Sequence, residues 1–206
     1  GAIAQLKSRG IDIYCEVVRW CDDLKSLEDR ISGFILKGHE CGAVVSEQTT
    51  FLLLQEFRKR TALSLFARGG ITPETAAAAN VAGASGVVLD DQIMLLEESP
   101  LDDAKIRRRI EGMSGAETLQ IEDPRGGCYL RGLDKPGGAF AATASKQILE
   151  DPDVMDAIGK QFSWSAGSVA PAGQGLALAA PMAKRYRTIG RLITAIQTAV
   201  RELPRA

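Results

Sequence analysis

The sequence predicts an α/β chain. Residues 1–100 read as about four β/α units, the C-terminal half of a TIM (β/α)8 barrel, and residues 101–206 as a small α+β and helical extension. Three observations carry this. Short apolar runs alternate with helix-period runs through the first hundred residues, the pattern of a parallel sheet with helical crossovers. No strand is followed by a GxGxxG fingerprint, which places the barrel ahead of its rival, an open doubly wound sheet. After Pro100 the alternation stops.

The first strand is "IDIYCEVV" (11–18), rich in β-branched and aromatic residues and preceded by the turn signal Gly10. Asp22 to Ile31 follows as a helix with Leu24, Leu27 and Ile31 on one face. "GFILKG" (33–38) is the second strand, bounded by glycines. "TFLLLQEFRKR" (50–60) is a helix whose basic end suits its negative terminus. The third strand lies in "ALSLFARGG" (62–70). The next helix is sharply punctuated: Thr72 is a good N-cap, Pro73 occupies the first helical position and Glu74 puts a carboxylate in the first turn. Gly83 ends it, and "SGVVLD" (85–90) is the fourth strand.

In the extension, "DDAKIRRRIEG" (102–112) is a charged helix, and "ETLQIED" and "GCYLRGL" read as a short hairpin or two loosely paired strands around "PRGG". "AFAATASKQILED" and "PDVMDAIGKQF" read as two short helices, and 163–175 as a loop. The last helix, about 181–203, opens at Pro181. Met182, Tyr186, Ile189, Ile193, Ile196 and Val200 recur at helical spacing, a face for packing on the barrel rather than for a membrane surface.

Composition excludes several classes. With 25 Lys and Arg against 26 Asp and Glu, nothing recommends nucleic acid or an anionic membrane as partner. No apolar run approaches the roughly 20 residues of a membrane span, and there is no signal-peptide pattern. Cys15, Cys21, Cys41 and Cys128 lack zinc or CxxC spacing, so free thiols in a reducing cytoplasm and no metal are expected. Gly1 opens inside a helical pattern without a Met, which suggests a segment of something longer. Four strands cannot close an eight-stranded barrel, so the chain alone is expected to oligomerise or aggregate through an open sheet.

Chemistry in such barrels sits at the carboxyl ends of the strands, with phosphate commonly held after strands seven and eight. In the second half those would be 62–68 and 85–90. The Gly69-Gly70-Ile71 turn lets backbone amides approach an anion, and the capped helix start at Thr72 adds a positive dipole end.

"KGHECGAVVSEQTTFLLLQEF" followed by "LFARGGITPETAAAANVAGASGVVLDDQ" resembles the flavin-dependent nitronate monooxygenase (2-nitropropane dioxygenase) family, which includes related flavin-dependent enoyl reductases. "GQGLALAAPMAKRYRTIGRLITAI" (173–196) resembles the tail that follows that barrel. The likeness is nearest to barrel domains found near the N-terminus of type I polyketide synthases. It is good over the first 100 residues, moderate over the last 35 and poor between. It implies an FMN-binding TIM barrel, with a small carbon acid or acyl substrate and the rest of the barrel or a multidomain synthase as partner.

Residue by residue, the resemblance places Gly38, Glu40 and Gly42 in the loop near the flavin ring, Gly69 and Gly70 at the phosphate, and Gly86 at the opening of the last strand. His39, the single histidine, and Glu40 are the candidate catalytic residues. Three positions depart from the pattern. The family's loop histidine falls on Val44, a loop glycine on Ala43, and the Gly-Thr closing the phosphate cup on Asp90-Asp91. Two unit charges about 4 Å apart at an effective dielectric near 20 repel by about 4 kcal/mol, roughly three powers of ten in affinity. Three readings of Asp90 and Asp91 stay open: pairing with Arg68 or capping, an altered ligand site, or ordinary FMN binding. The functional expectation is an FMN-dependent oxidoreductase of nitronate monooxygenase or enoyl reductase type. The alternative is a catalytically degenerate barrel with a structural or substrate-presenting role. A flavin-free phosphosugar or nucleotide barrel comes last.

Overall fold

A computed structural model describes residues 2–123, 126–134 and 169–203. Four strands, β1 (Tyr14–Val17), β2 (Gly33–Lys37), β4 (Ser64–Arg68) and β5 (Gly86–Val88), form a parallel sheet in the order β1-β2-β4-β5. Each neighbour follows its predecessor through a crossover, as the alternation requires. The two helical crossovers α2 (Thr50–Arg58) and α3 (Pro73–Val81) precede β4 and β5, and a 3-10 helix, Asp22–Arg30, stands where an α-helix is predicted over 22–31. Only Leu24 of that segment is buried, so little apolar area holds it to an α-helical face.

Strand alternation divides the sheet's two faces. Phe34, Leu36, Leu65 and Ala67 point to one side and pack with Leu53, Leu54 and Phe57 of α2 and Ala76 and Ala79 of α3. Burying a Leu or Phe of this kind contributes about 1.5–3 kcal/mol. Trp20 joins this core edge-on to Phe57, with ring centroids 5.0 Å apart. The register puts Tyr14, Glu16, Ile35, Lys37, Phe66, Arg68 and Val88 on the opposite face. There Tyr14 meets Phe66 edge-on at 5.0 Å and is 41% exposed, so this second face is not covered as the first is.

Four features correct the sequence reading. First, the loop after β2 runs into a strand, β3 (Ala43–Ser46), that the sequence does not announce. It pairs antiparallel with β7 (Cys128–Asp134), which also pairs with β6 (Leu119–Glu122), so the hairpin of the extension belongs to a second sheet rooted in the loop after β2. Second, within the expected 163–175 loop, β8 (Val169–Ala170) pairs with β7. Third, the expected helix over 181–203 is two helices, α5 (Ala179–Tyr186) and α6 (Ile189–Glu202). Arg187 breaks it at φ 63°, and Thr188 caps α6 by accepting from the Arg191 amide. Fourth, Pro181 lies inside α5's first turn and does not open it. The charged helix is present as α4 (Ala104–Glu111), capped by Asp103. The two helices expected over 139–162 lie outside the described residues.

Candidate functional site at the carboxyl ends of the strands

At the end of β4 the chain turns through Gly69 (φ 121°) and Gly70 (φ 61°) into α3. The predicted punctuation is present and reciprocal: Thr72 Oγ1 accepts from the Thr75 amide at 3.2 Å, and Thr75 Oγ1 accepts from the Thr72 amide at 2.7 Å. The amides of Gly70 and Ile71 donate to no acceptor among the described residues. A Cβ on Gly70 would meet nothing nearer than Glu40 Cγ at 3.8 Å. Beside the turn lies a cavity of about 120 Å³ whose wall includes Glu40, Thr50, Gly69, Gly70 and Thr75.

The 38–42 loop is tied to the same strand end. The carbonyl of Arg68 is approached by the Gly38 amide (3.1 Å), Thr50 Oγ1 (2.8 Å) and Cys41 Sγ (3.2 Å). Glu40 turns its carboxylate to the start of α2, where Oε2 accepts from the Thr50 amide at 3.0 Å and lies 2.8 Å from the Thr50 hydroxyl. Negative charge at this helix end is favourable. The glycines here make room for protein. A Cβ on Gly42 would stand 2.3 Å from the carbonyl of Pro171, and one on Gly69 2.6 Å from Thr50 Oγ1. Gly173 fits as tightly from the other side, 2.1 Å from the Glu40 carbonyl. The 171–175 segment thus lies backbone to backbone on the 38–42 loop. Gly38, placed beside the flavin ring by the resemblance, is likewise walled by Thr50.

His39 turns away from the cavity. Its Nδ1 lies 2.9 Å from the Ser46 carbonyl, and its Nε2 faces the guanidinium of Arg131, which can only donate. Tyr129 meets the ring edge-on. Arg131 is 4% exposed and donates to Thr118 and Gln120, while its Nε has no partner among the described residues; burial lowers its pKa, with Glu40's charge acting against that. The structure therefore separates the two expected catalytic residues, Glu40 at the cavity and His39 at the seam with the small sheet. Sequence reasoning missed Arg131 and Thr50. A charged residue in the apolar run "GCYLRGL" was the available signal for Arg131; Thr50, at a helix start, gave none.

Asp90 and Asp91 take different roles. Asp90 Oδ2 accepts from Arg68 Nε at 3.0 Å, and Arg68 also pairs with Glu16, which in turn pairs with Lys37 at 3.4 Å. Acids and bases thus alternate along the chain of pairs Asp90–Arg68–Glu16–Lys37. Burial works against the charge of Arg68, but the hydrogen bond and charge of Asp90 outweigh it and raise its pKa. Asp91 is 3% exposed and accepts from the Gly173 amide at 2.7 Å. Burial first, and then the charge of Asp90, push its pKa up to about 7. Burial also raises the Cys41 thiol, so it is no nucleophile at neutral pH. Cys15, Cys21 and Cys41 are in no disulfide, and among the described residues no helix is long and apolar enough to cross a membrane.

No family model and no curated protein matches the chain. Solved structures do. FabK from Thermotoga maritima is 22% identical over 96% of this chain and 63% of its own, with a TM-score of 0.72. Nitroalkane oxidase from Streptomyces ansochromogenes is 22% identical over 97% of this chain and 60% of its own, with a TM-score of 0.65. The enoyl reductase domain of MlnA, from the macrolactin biosynthesis cluster of Bacillus amyloliquefaciens, is 14% identical over 97% and 61%, with a TM-score of 0.51. At these identities the likeness is one of fold. The chain spans less than two thirds of the length of each of these neighbours, and over that span it shares their fold.

Proposed function

We propose that this chain is the C-terminal half of a (β/α)8 barrel with its extension, and that the barrel is an FMN-dependent oxidoreductase of nitronate monooxygenase or enoyl reductase type, part of a polyketide synthase and cytoplasmic. The observation that carries the reading is the Gly69–Gly70 turn, whose uncommitted Gly70 and Ile71 amides stand at the capped start of α3 on this fold. The residues present fit the phosphate end of FMN. Gly70 leaves open space, the helix start supplies a positive end, and both acids of the closing loop are engaged, Asp90 by Arg68 and Asp91 by Gly173. When bound, FMN would supply the acceptor or donor of a hydride or electron for a small carbon acid or an acyl chain.

In this reading the chain's own residues bind and position. The Gly70 and Ile71 amides hold the anion; Glu40, clamped by Thr50 at the cavity wall, is the carboxylate able to hold or accept a proton at Oε1 or Oε2. His39, paired with Ser46 and Arg131, braces the loop from behind. Gly38 and Gly42 act by letting the loop pack closely, and the cofactor contacts proposed for them are indirect. A purified protein that takes up FMN and shows flavin absorbance supports the proposal; a colourless protein that leaves added FMN free overturns it. One observation favours a second reading, a degenerate barrel with a structural or substrate-presenting role: the loop glycines Gly42 and Gly69 are backed by the protein's own atoms. The same colourless outcome would support it.

A further inference from the structure

We infer that Asp90 is an internal competitor for the anion taken by the Gly69–Gly70 turn: it occupies Arg68, the cation immediately before that turn, and a phosphate-bearing ligand gains Arg68 only by displacing it. The inference rests on the proposed function and adds a specificity-determining residue to it. Arg68 ends β4 and is followed directly by the two glycines. Its side chain is 27% exposed, so it has room to turn, yet Asp90 holds its Nε and Glu16 its Nη1.

Among the described residues the neighbouring cations are engaged or buried. Lys37 is 8% exposed at the side chain and pairs with Glu16, and Arg131 is buried behind the 38–42 loop. Glu40, on the cavity wall, is an acid already satisfied by Thr50. The turn therefore offers an anion two amides and a helix end, while the adjacent guanidinium of Arg68 is shared by two carboxylates. A guanidinium prefers a phosphate's paired oxygens in the same way as a carboxylate's, so the two ligands compete for one fork. Neutralising the carboxylate shifts that competition toward phosphate.

The test titrates the full chain with FMN and, separately, with riboflavin, which lacks the phosphate, following quenching of flavin fluorescence. Asp90→Asn is expected to bind FMN roughly ten- to a hundredfold more tightly than wild type, the worth of one charge-assisted hydrogen bond. Its affinity for riboflavin should not change. Glu16→Gln, which loosens Arg68 from another strand, should shift FMN affinity the same way by a smaller factor, and provides the result if Asp90→Asn fails to fold. The double variant Arg68→Gln/Asp90→Asn should lose the gain. Equal FMN affinity in wild type and Asp90→Asn, an equal gain for riboflavin, or a gain that survives loss of Arg68 would overturn the inference. If no form binds FMN, the oxidoreductase reading fails by itself. The competition is then read with inorganic pyrophosphate: a rise in thermal midpoint larger in Asp90→Asn than in wild type supports it, and equal rises overturn it.

Discussion

Two glycine-rich loops leave neighbouring strand ends, and they have opposite fates. The 38–42 loop after β2 is filled by its own chain, with Pro171 against Gly42 and the Glu40 carbonyl against Gly173. The Gly69–Gly70 turn after β4 keeps one open side, with nothing nearer to a Gly70 Cβ than 3.8 Å. A glycine reports that something comes close; whether it is a ligand or another stretch of backbone depends on chain segments far away in sequence.

The largest expected effect tests the filled loop. Gly42→Val forces a branched side chain into backbone atoms 2.3 Å from the Cβ position and should cost more than about 3 kcal/mol, seen as a collapsed urea midpoint or failure to fold. Gly70→Ala, meeting no clash, should cost only about 1–2 kcal/mol from its left-handed backbone. Equal losses at the two sites would break the comparison.

Asp91 gives the next effect, through its hold on Gly173. Its folded pKa of about 7 stands well above the ordinary aspartate range, so the contribution to stability is fully present below that range and is lost as pH rises through about 7. Each unit of such a shift is worth about 1.4 kcal/mol. Asp91→Asn keeps a neutral acceptor for the Gly173 amide. Its stability relative to wild type should therefore grow between pH 4 and pH 7 and level off above, as followed by urea midpoints. A difference independent of pH would show that Asp91 is charged in its burial site.

A smaller gain is expected at Ala43, which stands where the resembled family has glycine and adopts φ 61°. Ala43→Gly should stabilise by about 1 kcal/mol, because the left-handed conformation penalises a Cβ. The smallest effect lies by the open turn. Glu74 and Arg185 pair at 3.5 Å with side chains 67% and 65% exposed, so Arg185→Ala should change stability by less than about 0.5 kcal/mol and by still less in high salt.

The parallel sheet was legible because its elements are punctuated locally: Thr72, Pro73 and Gly83 bound α3, and apolar strands alternate with it. The pairing of Asp90 with Arg68, one of three readings left open, was within reach because Arg68 ends β4 and Asp90 follows the adjacent β5. What stayed hidden depends on distant partners. β3 becomes a strand only through β7, and Asp91 finds its partner 82 residues on, in Gly173. The break at Arg187 was invisible for another reason. The helical spacing of Tyr186, Ile189 and Ile193 continues across it, and periodicity does not record a single residue in left-handed backbone.

The lone histidine has a use apart from catalysis. His39 touches Ser46 of β3 and Arg131 of β7, with Tyr129 against its ring, so it stands where the loop of one sheet joins the other. A chain with one imidazole has one set of ring resonances. Those signals are an assignment-free gauge of whether the small sheet is docked, readable in any variant without a ligand.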